Sequence, residues 1–95
     1  MTSYEFEKAA KNAVIDVLAK RGIEASIEDL EFVWFSHLIG NKKCMIYGDV
    51  MANLYAEVTY SQYAGMMYID LYQKMDHAEL YSHEMKFDAG VDKLL

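Results

Sequence analysis

Residues 30–39 read Leu30-Glu31-Phe32-Val33-Trp34-Phe35-Ser36-His37-Leu38-Ile39, and this run contains the only tryptophan of the chain. β-Branched and aromatic residues of this kind are typical of strands. If alternate side chains point to opposite faces, Phe32, Trp34 and Leu38 point one way and Val33, Phe35 and Ile39 the other. Neither set is purely polar. The run therefore predicts a central strand that is covered on both faces.

The residues before this strand predict one helix over residues 1–21. Thr2 and Glu5 have the spacing of a capping box, and Lys20 and Arg21 suit the negative end of the helix dipole, before Gly22 ends the helix. Apolar side chains recur at steps of three and four residues and predict a stripe that packs on one face of a sheet. They are Phe6, Ala10, Ala13, Val14, Val17 and Leu18.

Residues 30–74 are expected to form a four-stranded antiparallel sheet in which each strand pairs with its chain neighbours. The composition of residues 40–43 predicts the first turn, and residues 44–47 then give a short second strand. Residues 54–60 and 66–72 alternate between two kinds of side chain and predict the third and fourth strands.

The C-terminal part of the chain carries less pattern. Residues 76–86 could form a short helix with Leu80 and His83 on one side, and residues 87–95 are expected to form a tail. A chain of 95 residues can build one core of two layers but is too short to divide into two domains. The sequence thus predicts a single α+β domain (residues 1–95), with one helix on one face of an antiparallel sheet.

Charge is distributed unevenly along the chain. Residues 1–21 have a formal charge of +1 and residues 22–95 a charge of -7, which gives the total of -6. Binding to nucleic acid needs Lys and Arg to neutralise phosphates, so the sequence predicts no direct nucleic acid binding. A basic protein surface is the partner that this charge favours, although acidity can also serve only to keep a small protein soluble.

The chain is expected to be a soluble protein of the cytoplasm. No run approaches the about 18 apolar residues of a membrane span, and the N-terminus lacks the pattern of a signal peptide. The single cysteine, Cys44, excludes an internal disulfide and fits a reducing compartment.

The sequence contains no catalytic, metal or nucleotide motif. His77 and His83 are six residues apart, so a helix would place them on different faces. His37 is expected to be half-exposed on its strand, and Cys44 to be a small buried apolar residue. The five glycines stand singly at the ends of elements, so no phosphate-binding loop is predicted. We therefore expect no cofactor, no metal and no enzymatic activity.

The candidate functional surface is the sheet face turned away from the helix. If the apolar residues of the third and fourth strands pack under the helix, tyrosines and carboxylates share the opposite face. The candidate partner-binding residues are Tyr55, Glu57, Tyr68, Asp70 and Tyr72. Tyrosine is favoured at protein interfaces, whereas sheets that bind RNA add Lys and Arg to their aromatic residues. Either a protein partner or the C-terminal segment is expected to cover this face.

Residues 4–75 also resemble a family of small uncharacterised proteins encoded by phages and prophages of Gram-positive bacteria. The resemblance lies in four places: Glu5-Phe6 at the start of the helix, Glu28-Asp29-Leu30-Glu31-Phe32-Val33-Trp34, Tyr55-Ala56-Glu57-Val58-Thr59-Tyr60 and Tyr68-Ile69-Asp70-Leu71-Tyr72-Gln73-Lys74. Residues 49–53 and the segment after Met75 lie outside it. That family has no established activity. The resemblance therefore implies an origin in a phage more than a mechanism.

A phage origin favours one class of function. Small acidic phage proteins are often inhibitors that occupy the basic surface of a host enzyme. The resemblance therefore implies a non-enzymatic protein that binds a host protein, most concretely an anti-CRISPR-like inhibitor of a nucleic-acid-binding defence enzyme. The alternative is a structural or assembly protein that forms a homodimer, or docks on another phage component, through its tyrosine-rich sheet face.

Overall fold

One helix and four strands follow each other along residues 1–87, the part of the chain that the computed structural model describes. They are α1 (Ser3–Lys20), β1 (Glu31–Leu38), β2 (Asn41–Tyr47), β3 (Leu54–Ser61) and β4 (Met66–Gln73). Each strand pairs antiparallel with its chain neighbours, so the sheet has the order β1-β2-β3-β4. The predicted fold class, one helix on a four-stranded antiparallel meander, is confirmed.

Helix α1 begins and ends with the signals that its sequence contains. The Thr2 hydroxyl accepts a hydrogen bond from the Glu5 amide at 3.1 Å, and the Thr2 amide donates to the Glu5 carboxylate at 2.8 Å. The bond from this amide holds the pKa of Glu5 below its usual value. At the other end Gly22 has a φ of +79°, and the Ile23 amide donates to the Leu18 carbonyl, which closes the last turn. Within residues 1–87, no helix is both long and apolar enough to cross a membrane.

The core lies between α1 and the two central strands. The fully buried residues include Phe6, Ala10, Val14 and Leu18 of α1, Cys44 and Ile46 of β2, and Ala56 and Val58 of β3. Burial of a larger apolar side chain is worth about 1.5–3 kcal/mol, so this contact holds the helix on the sheet. On β4 the side chains that face α1 are only partly buried. They are Met67, Ile69 and Leu71.

Strand β1 lies at an edge of the sheet, so the prediction of a central strand is wrong. In a meander each strand pairs with its chain neighbours, and the first strand has only one. No residue of β1 is buried. The strand carries apolar residues on both sides, but only one side contacts α1. Phe35 packs against Phe6 of α1, with ring centroids 5.6 Å apart, whereas Trp34 on the other side is 39% exposed.

A β-bulge in β1 changes which side chains share a face. The pairing of β1 with β2 shifts by one residue between Phe32 and Trp34. The extra residue, Val33, leaves both Phe32 and Phe35 on the side of α1, where the Lys11 ammonium lies 5.1 Å from the centre of the Phe32 ring. The division of Phe32, Trp34 and Leu38 against Val33, Phe35 and Ile39 is therefore wrong, because strict alternation does not hold across a bulge.

The turn between β1 and β2 is tighter than predicted. The composition predicted a turn over residues 40–43, but β2 begins at Asn41 and the turn consists of Ile39 and Gly40. Both residues have a positive φ, 50° and 79°, as a two-residue type I′ turn requires. Glycine adopts this conformation freely, whereas a β-branched residue is strained in it. Ile39 is 89% exposed, so little packing offsets the strain.

The predicted C-terminal helix is reduced to one short turn. Between residues 76 and 86 the structure contains only a 3-10 turn, Ser82–Glu84. A short helix needs an apolar face packed against the rest of the molecule, and residues 74–87 are exposed throughout. The described part of this segment therefore does not cover the second sheet face. Residues 88–95, most of the predicted tail, lie outside the described residues.

Cys44 is a core residue, as predicted. Its side chain on β2 is fully buried. Burial raises the pKa of the thiol to about 11, against the lowering effect of a hydrogen bond with the Val58 backbone, and the Glu7 carboxylate also raises it. The thiol is therefore protonated at neutral pH and packs as a small apolar side chain.

We predict that Ile39→Asn stabilises the protein by about 1 kcal/mol, because Asn tolerates a positive φ and Asn-Gly is the favoured sequence of a type I′ turn. The measurement is the free energy of unfolding in urea. Leu38→Asn is the matched control, since Leu38 is exposed but lies in a strand, where Asn is disfavoured. A loss of stability in both variants would contradict the strain at Ile39.

We predict that the Cys44 thiol makes the stability of the protein sensitive to alkaline pH. Its folded pKa lies above the unfolded value of about 8.5, so its contribution is fully present below that pH and is lost as the pH rises towards 11. Urea unfolding across this range should show a smaller loss for Cys44→Ala than for the wild type. Equal losses, or a fast reaction of the folded protein with a thiol reagent at neutral pH, would contradict a buried, protonated thiol.

Candidate protein-interaction surface

The sheet face opposite α1 is not covered by any element of residues 1–87. We call it the open face. The strand registers place on it Glu31, Val33, Trp34, Ser36 and Leu38 of β1, Asn41, Lys43, Met45 and Tyr47 of β2, Tyr55, Glu57, Thr59 and Ser61 of β3, and Met66, Tyr68, Asp70 and Tyr72 of β4. Most of these side chains are apolar or aromatic, and they form one surface across all four strands.

All five residues that the sequence singled out lie on the open face. Tyr55 is paired with Tyr72 on the neighbouring strand, and their rings stack with centroids 5.2 Å apart and an angle of 15° between the planes. The Tyr68 hydroxyl lies 3.8 Å from the sulfur of Met66. Tyr68 and Tyr72 are 45% and 42% exposed, so much of each side chain is accessible to a partner. Their role in binding stays a prediction.

Two carboxylates face each other in the middle of this surface. Glu57 of β3 is directly opposite Asp70 of β4, an arrangement that is unfavourable for two like charges. Lys43 of β2 partly compensates it, because its ammonium lies 3.7 Å from the Glu57 carboxylate. Among residues 1–87, Asp70 forms no salt bridge. In the described part of the chain, the open face therefore presents a negative charge without a basic partner between aromatic side chains.

The apolar half of the open face was missed by the sequence reasoning. Val33 and Trp34 were assigned to opposite faces, but the bulge turns both away from α1. Trp34 is paired with Met45, and the row of pairs continues across the sheet to Glu57 and Asp70. The one available signal was composition: β1 carries more apolar residues than a single helix face can cover. Register, which depends on the bulge, decides where they point.

A shallow groove of about 280 Å³ lies at one end of the open face. It is lined by Val33, Met45, Tyr47, Ala52, Asn53, Leu54, Tyr55 and Lys74. The Tyr47 hydroxyl donates to the Ala52 carbonyl at 2.8 Å, and Ala52 has a φ of 54°, which is unfavourable for a residue other than glycine. The groove is thus bordered by the bulge on one side and a strained turn on the other.

The titratable residues outside this face do not form a chemical site within the described residues. No hydrogen bond joins His37 to the buried Cys44, and no group of three His, Cys, Asp or Glu side chains could hold a metal ion in the described part of the chain. His77 lies 3.3 Å from Glu79, and both are exposed. Lys42 is 5% exposed, and its ammonium donates to the Met1 carbonyl at 3.2 Å, which gives it a structural role.

Comparisons with known proteins identify a family and no activity. No match was found among the curated proteins, and none among the solved structures. The model of the family of unknown function DUF6275 matches residues 7–82, which include most of α1 and the whole sheet. The chain therefore belongs to the family of unknown function DUF6275.

Proposed function

We propose that this chain is a non-enzymatic protein-binding module that places its open face on the basic surface of a host protein. In its most concrete form it is a phage-encoded inhibitor of a nucleic-acid-binding defence enzyme, similar to anti-CRISPR proteins, and acts in the host cytoplasm. The observation that carries the proposal is the open face, in which exposed aromatic rings surround a carboxylate without a basic partner in the described residues.

The aromatic residues supply the contact area. Trp and Tyr dominate the energetics of protein interfaces because they bury a large, rigid surface and keep one polar group. Trp34 of β1 and Tyr72 of β4 lie on the two edge strands of the sheet, so aromatic contact area is available across the whole open face. A flat surface of this kind fits the surface of a folded protein better than it fits a small ligand, which needs a deeper pocket.

Charge supplies the specificity. An Arg side chain of the partner, placed over the Glu57–Asp70 pair, would relieve the repulsion between the two carboxylates and could bind Asp70 through two hydrogen bonds. Surfaces that bind nucleic acid are rich in such Arg and Lys side chains. Residues 22–95 have a formal charge of -7, and this charge would also speed the encounter with a basic partner.

The two-residue turn between β1 and β2, at one end of the open face, supports the same proposal. Ile39 occupies a position where Asn or Asp would suit the backbone better, and its side chain is almost entirely exposed. Strained residues that gain nothing from internal packing are typical of sites that contact a partner. Together with the neighbouring Leu38, which is also exposed, Ile39 would give the partner an apolar contact at the rim.

The second candidate is a structural or assembly protein that uses the same face, either in a face-to-face homodimer or against another phage component. The exposed apolar side chains favour it, because Val33, Leu38 and Met66 add to the tyrosines and form an extended patch. The two carboxylates oppose a face-to-face homodimer, since each copy would bring Glu57 and Asp70 to the interface. For this reason we place it second.

We predict that the protein inhibits DNA cleavage by at least one enzyme in a panel of purified RNA-guided nucleases, and that binding weakens steeply with salt. Asp70→Asn should weaken that binding on the order of tenfold to a hundredfold, because the cation of the partner loses its charged acceptor. Glu28→Gln is the matched control: it removes the same charge from an exposed turn outside the open face, and its binding should stay close to that of the wild type.

Equal effects of Asp70→Asn and Glu28→Gln would show that only net charge matters and would contradict the open face as the binding surface. If none of the nucleases binds at low salt, the proposal of defence inhibition is wrong. Binding is measured by calorimetry or by a surface-based method and inhibition by the cleavage assay, both on the same samples of the wild type and of each variant.

A further inference from the structure

The outer edge of β4 is a second surface without a partner in the described residues. All eight residues of β4 pair with β3 in one continuous register. Within residues 1–87, no backbone hydrogen bond reaches the other side of the strand. Among the described residues the strand therefore presents a row of backbone donors and acceptors without a partner, which is a template for one more strand.

The two edges of the sheet differ in how they are protected. Natural sheets block their edges with bulges, prolines, lysines or charged residues that point inwards. The β1 edge contains the bulge at Val33. The β4 edge has no bulge, proline or lysine between Met66 and Gln73, and Asp70 is its only charged residue. Pairing with another strand is thus hindered at β1 and open at β4.

The α1 side of β4 also remains partly uncovered. Met67, Ile69 and Leu71 pack against the core but are only half-buried, because α1 lies mainly over the central strands. A strand added beside β4 would place its own side chains next to this row. The partner that best matches an apolar row of three residues at alternate positions is a strand with the same row.

We propose that two copies of this chain pair through their β4 strands, antiparallel about a two-fold axis at Ile69, and form one eight-stranded sheet. In such a pair Ile69 lies opposite Ile69 of the second copy, and Met67 lies opposite Leu71. On the open face Asp70 lies opposite Tyr68 of the second copy, whose hydroxyl is a suitable donor for a carboxylate. The edge is therefore complementary to itself, as a two-fold interface requires.

Asp70 selects this register over its nearest competitor. The midpoint of β4 lies between Ile69 and Asp70, so axes at these two residues give the longest overlap. An axis at Asp70 would place the two Asp70 carboxylates directly opposite each other, which is unfavourable. An axis at Ile69 avoids this contact without loss of overlap. The charge that would otherwise hinder pairing thus sets its register.

The dimer leaves the open face free except at its β4 edge, where Tyr68 and Asp70 meet the second copy. The two-fold axis is perpendicular to the sheet, so both α1 helices lie on one side and the two open faces join into one surface on the other. Trp34 lies on β1, at the far edge of each copy. This inference does not depend on the proposed function, because the backbone edge of β4 makes the contact and most of the open face takes no part in it.

Sedimentation of the wild-type chain tests the dimer, and cross-linking tests its geometry. We expect a species of twice the chain mass of 11.0 kDa. Residues directly opposite each other on neighbouring strands are close enough for a disulfide. Mild oxidation of the double variant Tyr68→Cys/Asp70→Cys should therefore give a covalent dimer on a non-reducing gel. The native Cys44 can stay in place because it is buried.

The matched control is the double variant Glu57→Cys/Thr59→Cys, which has the same spacing on the same face but lies on β3. In the proposed dimer the two β3 strands are about 14 Å apart, three strand spacings, which is too far for a disulfide. Covalent dimers of this control, without those of the β4 variant, would replace edge pairing with a face-to-face dimer. A monomer of 11.0 kDa at all accessible concentrations would overturn the proposal.

A pair of single variants tests the register. Tyr68→Asp places a carboxylate opposite Asp70 of the second copy, twice per dimer, whereas Tyr68→Asn removes the same ring without adding charge. We expect the dissociation constant of Tyr68→Asp to be about tenfold higher than that of Tyr68→Asn, and the difference to shrink at high salt. Equal dissociation constants would overturn the axis at Ile69.

Discussion

One helix can cover only part of a four-stranded sheet, and this limit decides which side chains of the sheet are buried and which remain accessible. A helix with its side chains is about 10 Å wide, whereas strands lie about 4.8 Å apart, so one helix covers about two strands. Burial follows this geometry: the fully buried sheet residues Cys44, Ile46, Ala56 and Val58 belong to β2 and β3, and the α1 side of β4 is half-buried. The opposite face receives no helix within residues 1–87, which leaves Trp34, Tyr68 and Tyr72 exposed.

The helix, the fold class and the faces of β3 and β4 could be predicted because local rules decide them. The capping box of Thr2 and Glu5, the glycine after Lys20 and the regular alternation in residues 54–60 each act within a few residues. The C-terminal helix failed for the opposite reason. Residues 76–86 contain helix-forming residues, but a short helix forms only when tertiary contacts stabilise it, and local sequence does not report those contacts.

The sequence predicted the half of the candidate surface that β3 and β4 contribute. Tyr55, Glu57, Tyr68, Asp70 and Tyr72 share a face because β3 and β4 pair without irregularity. The half contributed by Trp34, Val33 and Met45 was missed, because one inserted residue in β1 reverses the direction of the side chains before it. A bulge has no strong sequence signal, whereas the edge position of β1 already follows from the predicted meander, in which the first strand has one neighbour. The strain at Ile39 was equally hidden, since it arises from a turn whose length depends on the register of β1 with β2.

The fluorescence of Trp34 shows whether the second sheet face is open. Trp34 is the only tryptophan, so its fluorescence reports one position on the face opposite α1. The structure predicts ready quenching by acrylamide in the folded protein, because the Trp34 side chain is 39% exposed, and a shift of the emission to longer wavelength on unfolding that is smaller than for a buried tryptophan. Pairing of two copies through β4 leaves this result unchanged. Emission at short wavelength that resists quenching until denaturant is added would show that the face is covered, and would contradict the account.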